Sequence, residues 1–253
     1  MGGFSVQSWH LPAPPAPPTP DPLGRKTIGF FGDATGLMTG IGTQAWGVEH
    51  DVQVVGNAVL GCPLLYVGEI RYPGLDGILT TTPTRDECDF IGRWRAFLDT
   101  RIVDLAVIQF GPLDVADHRL PGDDTWRHVG DADYDRFLRK MIEEAIVLFT
   151  SRGIPVAWLA APHIALGQSI SPPIDYPGND PARMDRFNEL VRQVVAEYPA
   201  ATVVNLPGYL AGHLPGGEMD ATARPEGVHF TPKAATTIAE EWLGPELLKL
   251  LPA

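Results

Sequence analysis

Apolar residues recur along the chain in two rhythms. Short unbroken runs have the length and β-branched or aromatic content of buried strands: Thr27-Ile28-Gly29-Phe30-Phe31, Asp51-Val52-Gln53-Val54-Val55, Val103 to Phe110, Ile154 to Leu159 and Thr202-Val203-Val204-Asn205-Leu206. Between them, apolar positions return once per helical turn. Phe90, Trp94, Phe97 and Leu98 do so within 86–99, as do Tyr134, Phe137, Leu138, Met141, Ala145, Ile146 and Phe149 within 131–152, where Gly153 stands ready to end the helix. Met184, Phe187, Leu190, Val191, Val194 and Val195 repeat the pattern in 181–198, and Thr231-Pro232 has the form of a cap and first turn. Strand and helix alternate about five times, each crossover long enough for a helix, which predicts an α/β fold: a three-layer α/β/α sandwich around a five-stranded parallel sheet. Glycine, proline and threonine dominate 61–84, which reads as a long irregular excursion, and a glycine-rich loop follows Leu206 up to Arg224. The first run stops at Gly32-Asp33 and so delivers Ala34 to the carboxyl edge of the sheet, where open α/β folds hold their ligands.

Composition narrows the function. The chain has 253 residues, 44% hydrophobic and 20% charged, enough for one sizeable core. A formal net charge of -12, with Lys and Arg scattered singly, argues against nucleic acid or anionic membranes as partners. No apolar run is long enough for a membrane span and the first residues lack a secretory pattern, so a soluble chain is expected. Residues 11–22 alternate proline with small residues and favour extended polyproline II; residues 1–24 therefore read as a proline-rich linker or tail and 25–253 as the folded domain. Neither Cys-x-x-Cys nor His-Glu-x-x-His is present, and no metal or cofactor is expected. Composition leaves Cys62 and Cys88 open between one disulfide and two buried thiols.

Three segments carry a resemblance. Gly32-Asp33-Ala34-Thr35 resembles the Gly-Asp-Ser block that opens the SGNH (GDSL) hydrolases, with alanine where their nucleophilic serine stands. Asn57-Ala58-Val59-Leu60-Gly61 resembles their second block, whose glycine lends an N–H to the oxyanion hole, and Glu226-Gly227-Val228-His229 resembles their final Asp-x-x-His block. Their Gly-x-Asn-Asp block is matched by Gly111-Pro112-Leu113-Asp114, with Leu113 in the asparagine's place. From Lys26 onward the chain is similar, more closely, to SGNH domains that follow membrane acyltransferases of actinobacteria. The shared features are Gly61-Cys62, Cys88 followed by Trp94, the Trp126-x-His128 pair, Asn188 and Arg224-x-Glu226-Gly227-Val228-His229-Phe230-Thr231.

The resemblance implies a triad site with Ala34 at the nucleophile position, His229 as base, Glu226 orienting it, and the N–H groups of Ala34 and Gly61 as oxyanion donors. Asp33, Asn57 and Asp114 of these blocks, with His163 after the fourth strand, complete the expected pocket. The resemblance also favours a Cys62–Cys88 disulfide, an extracytoplasmic setting, an acylated small molecule or glycan as ligand, and a membrane acyltransferase as partner. The implied activity is that of esterases and O-acyltransferases on acylated carbohydrate. In such sites serine attacks an ester carbonyl, histidine takes its proton and N–H donors stabilise the oxyanion. A methyl group at residue 34 has neither lone pair nor proton, and loss of a triad nucleophile costs on the order of 10⁶ in turnover, so the site is expected to be catalytically impaired. The alternative is a binding or regulatory domain that keeps the pocket without the chemistry. Water activated by His229 offers a slow direct route. Asp33 is read as accepting backbone hydrogen bonds in the first helical turn, Thr35 as pointing away from the site, Trp94 and Trp126 as packing residues, and His118 and His128 as exposed loop histidines.

Overall fold

The computed structural model describes residues 18, 20–73, 78–169 and 171–252. Most of the proline-rich stretch, residues 11–17 and 19, lies outside them. In chain order the elements are β1 (Lys26–Gly32), α1 (Ala34–Glu49), β2 (Val52–Ala58), β3 (Glu69–Pro73), β4 (Leu79–Pro83), α2 (Phe90–Leu98), β5 (Leu105–Gln109), β6 (Asp117–Arg119), β7 (Trp126–Arg127), α3 (Ala132–Thr150), β8 (Val156–Leu159), α4 (Pro181–Val195), β9 (Ala201–Val204), α5 (Leu206–His213), α6 (Pro232–Ile238) and α7 (Gly244–Leu248).

Five strands form a parallel sheet in the order β2-β1-β5-β8-β9. Their residues alternate between two cores. Phe31, Ala106, Ile108, Val156 and Trp158 face α2, α3 and α4 through Phe90, Trp94, Leu138, Phe149 and Phe187. Ile28, Phe30, Leu105, Val107, Ala157 and Leu159 face α1 and the C-terminal helices through Trp46, Leu210, Ile238 and Leu247. Burial on both faces is why these strands read as continuous apolar runs. The strand order reverses direction beside β1: the chain steps outward to β2, then crosses back to β5. The carboxyl ends of β1 and β5 therefore flank the crevice where such folds bind ligands.

Two elements differ from the expectation. The excursion after Gly61 is not irregular: β3 and β4 pair antiparallel and join β6 and β7 in a second, four-stranded sheet of order β4-β3-β6-β7. Its strands are as short as two residues, and only the distant β3–β6 pairing joins the β3–β4 and β6–β7 hairpins, so no local period announces the sheet. Leu206, expected to end the fifth strand, instead opens α5: the Asn205 side chain accepts from Gly208 N–H and Pro207 sits in the first turn.

Cys62 and Cys88 form a disulfide that ties the loop after β2 to the segment leading into α2. Asn188 on α4 both donates to and accepts from the backbone of Ala161, at 2.8 and 2.9 Å, holding the loop after β8.

Candidate active site

At the carboxyl edge, β1 ends in Gly32 and hands the chain to α1. Asp33 caps that helix: its buried carboxylate accepts from Thr35 N–H at 2.7 Å and from Thr35 Oγ1 at 2.6 Å. Ala34 is the first residue of the helix, where the backbone N–H has no intrahelical acceptor. The Thr35 hydroxyl is committed to Asp33 and is buried.

On the loop before α6, His229 Nδ1 lies 2.5 Å from Glu226 Oε1, and His229 N–H donates to the same oxygen at 2.6 Å. One carboxylate thus fixes both ring and backbone, leaving Nε2 without a partner among the described residues. Gly227 makes this turn possible: its φ is +81°, and a Cβ there would come within 2.5 Å of the Ala165 carbonyl oxygen. Arg224, buried beneath the loop, donates to Val228 C=O at 2.9 Å and to His163 C=O at 2.7 Å. Burial lowers the Arg224 pKa to about 10, while the charges of Glu218 and Glu226 oppose the drop, so it remains a cation at neutral pH.

These loops enclose a cavity of about 200 Å³ lined by Asp33, Ala34, Thr35, Gly61, His229 and the apolar walls Tyr72, Pro73, Pro112, Leu113, Leu166 and Val228. Ala34, Gly61 and His229 therefore meet in one space, with Glu226 behind the histidine. Burial pushes the Asp33 carboxyl pKa upward, against the pull of the Thr35 hydrogen bonds and of His229. An imidazole oriented by a carboxylate at Nδ1 and open at Nε2 can accept and return a proton at that nitrogen. Among the described residues, neither the Ala34 N–H at the start of α1 nor the Gly61 N–H has a protein acceptor.

Three expected pocket residues do not line this cavity. The Asn57 side chain accepts from Arg93 at 3.2 Å and its carbonyl from Trp94 Nε1 at 3.1 Å, tying β2 to α2. His163 lies between two carboxylates, with Asp185 at 3.0 Å from Nε2 and Glu218 at 3.3 Å from Nδ1. Asp114 is buried below, where Oδ1 accepts from Leu64 N–H at 2.8 Å and Leu65 N–H at 3.2 Å. It thereby anchors the loop that carries Gly61. Burial, reinforced by the nearby charge of Asp33, raises its pKa well above the usual carboxylate range.

The turn after β5 is held by residues that no sequence pattern groups together. His118 Nε2 donates to Leu113 C=O at 2.9 Å, Tyr134 O–H to Asp114 C=O at 2.9 Å, and Arg183 to Val115 C=O at 2.9 Å. His118, expected on an exposed loop, is fully buried because β6 packs it beneath this turn against Tyr134. Trp126 is flanked by the guanidinium groups of Arg71 and Arg119, at 4.6 and 5.2 Å from its ring. Tyr72, a further cavity wall, comes from β3, a strand that no sequence period marks.

Burial lowers the His118 pKa to about 4 from an unfolded value of 6.5. The folded state binds the proton less well than the unfolded state, so the contribution is intact above 6.5 and is lost progressively as pH falls from there to 4, on the order of 3 kcal/mol in all. Asp33 and Asp114, whose pKa values are raised, act in the opposite direction, favouring the fold as pH falls. His118→Gln keeps an amide donor for Leu113 C=O and removes the titration; the lost ring contact with Tyr134 lowers stability equally at every pH and so leaves the pH dependence to the titration. The stability difference between parent and variant, measured by urea unfolding at about pH 7, 5.5 and 4.5, is expected to shift in the variant's favour as pH falls; parallel curves would contradict the assignment.

The parallel order β2-β1-β5-β8-β9, with its crevice over β1, defines a flavodoxin-like α/β/α fold class. Solved structures narrow it. The chain is similar to a GDSL-like lipase from Bacteroides thetaiotaomicron, at 17% identity, covering 89% of each chain with a TM-score of 0.53. It is also similar to a candidate acylhydrolase from Bacteroides fragilis, at 15% identity, covering 93% of this chain and 92% of that one with a TM-score of 0.58. A candidate GDSL-like lipase from Parabacteroides merdae aligns at 13% identity over 89% of this chain and 97% of its own, with a TM-score of 0.52. The chain thus has the SGNH hydrolase fold that its sequence blocks implied. No family model and no curated protein matches the sequence. Among the described residues, no helix is long and apolar enough to cross a membrane.

Proposed function

We propose that this domain binds acyl esters in a pocket of SGNH esterase and O-acyltransferase type whose covalent chemistry is disabled at Ala34. His229 is the base, Glu226 its orienting carboxylate, and the backbone N–H groups of Ala34 and Gly61 the oxyanion donors. One observation carries the reading: Ala34, Gly61 and His229 line one cavity, with Glu226 bonded to the histidine. The neighbouring hydroxyl does not replace the lost one, because Thr35 Oγ1 already donates to Asp33. The segment from Arg224 to Thr231 supports acylated glycan as the substrate class and a membrane acyltransferase as the working partner, both through its resemblance to domains found with such enzymes.

A purely binding role is favoured by Leu113, which puts an apolar wall where the related pattern has an amide donor. The two readings separate on p-nitrophenyl acetate hydrolysis before and after Ala34→Ser. Restored turnover supports a disabled esterase site; an unchanged rate with retained ester binding supports the binding role.

A further inference from the structure

We infer that the cavity takes its nucleophile from outside, as water or a small neutral alcohol, and passes an acyl group to it in a single displacement with His229 as the base. This rests on the reading of Ala34 as the vacated nucleophile position and extends it to a different chemistry. Losing the serine side chain removes an oxygen but no main-chain group. The N–H of residue 34 still opens α1, and it and the Gly61 N–H donate to no protein acceptor among the described residues. The stabilisation of a developing oxyanion by these two groups therefore survives the replacement. The base survives as well: Glu226 holds His229 at Nδ1 and Nε2 has no protein partner among the described residues.

Space and polarity select the nucleophile. The cavity measures about 200 Å³, whereas one water's share of liquid volume is about 30 Å³, so a short acyl group and a small hydroxyl compound fit together. Its apolar walls and the net charge of -12 disfavour an anionic nucleophile. The reaction is closed in atoms and charge. The entering O–H gives its proton to His229 Nε2 while its oxygen bonds to the ester carbonyl carbon. The carbonyl π pair moves onto its oxygen, facing the Ala34 and Gly61 N–H groups. Collapse breaks the bond to the leaving oxygen, which takes the proton from Nε2. Ester and alcohol yield a new ester and the departing alcohol; water yields the acid. The protein carries no acyl group at any stage.

The test uses the unaltered chain with p-nitrophenyl acetate, with and without methanol, beside His229→Gln and Ala34→Ser, each checked for folding by circular dichroism. The unaltered chain is expected to release p-nitrophenol about 10²-fold faster than His229→Gln, the lower end of what a positioned base contributes. Methanol should divert product to methyl acetate, and mass spectrometry should find no acetyl group on the protein. Equal rates for the unaltered chain and His229→Gln, or an acetylated intermediate on the unaltered chain, would overturn the inference. Ala34→Ser separates this from the underlying reading. If it turns over through an acetyl-serine while the unaltered chain matches His229→Gln, the site reading stands and direct transfer is wrong. If it gains nothing while the unaltered chain keeps its His229-dependent transfer, direct transfer stands and residue 34 was never a nucleophile position.

Discussion

Ala34→Ser is expected to raise turnover of p-nitrophenyl acetate by about 10⁴-fold over the unaltered chain. The magnitude follows from three effects. Deleting a triad nucleophile costs on the order of 10⁶ in turnover. An external hydroxyl activated by His229 recovers about 10² of that, at the lower end for a positioned base. An asparagine donor would add a further factor of about 10² to 10³ through the oxyanion hole, but Leu113 withholds it from both proteins, and it cancels. Geometry favours the gain: residue 34 begins α1 on the cavity wall, and His229 is already oriented by Glu226. Steady-state rates with the His229→Gln, Ala34→Ser double variant as the blank measure it; a gain below about tenfold would mean that the introduced hydroxyl does not reach His229 Nε2.

Gly32→Ala is expected to abolish the fold, with a cost above about 4 kcal/mol. Gly32 has a φ of +138°, and a Cβ on it would lie 1.8 Å from the Gln109 carbonyl oxygen. Neither backbone can yield, because Gly32 pairs with Gln109 in the β1–β5 ladder and Asp33 N–H donates to that same carbonyl at 3.2 Å. The position lies at the last step before the site, so the strain that the side chain would introduce falls on Asp33 and Ala34. Gly212→Ala is the control: it lies in α5 with nothing within 4 Å of its added Cβ, and is expected to gain about 0.5–1 kcal/mol. Thermal unfolding of the two variants tests the contrast, and a Gly32→Ala protein that melts with the parent would contradict it.

The parallel sheet was legible because its strands are buried on both faces. Leu105 to Gln109 is entirely buried, and such a run reads as a strand whatever surrounds it. Three of the helices over it, α2, α3 and α4, were legible from their apolar stripes. The second sheet was not, because the burial of β3 follows no strict alternation and β6 and β7 are too short to show one. That gap extended into the site. Tyr72 reaches the cavity from β3, and His118 reaches Leu113 C=O from β6, so neither can be placed without the distant β3–β6 pairing that joins two short hairpins into one sheet. Ala34, Gly61, Glu226 and His229 were legible as members of blocks whose order along the chain matches a known pattern. Asp114 was legible as a residue of interest but not in its placement. Its block suggested a pocket residue, whereas the fold puts its carboxylate on the Leu64 and Leu65 N–H groups, one step removed from the cavity. His163 departs from expectation for a similar reason: Asp185 on α4 and Glu218 are distant in sequence, and only the folded chain brings them to its two ring nitrogens.

If one absent hydroxyl is all that separates this pocket from a working acyl-transfer centre, restoring it should create a nucleophile that reports on itself. Treating Ala34→Ser with a fluorophosphonate and locating the adduct by tandem mass spectrometry reads that out at a single atom. A single adduct on residue 34 is expected, absent from the unaltered chain and lost when His229→Gln is added. A folded Ala34→Ser protein that stays unlabelled, or that is labelled at Thr35 or elsewhere, would contradict it.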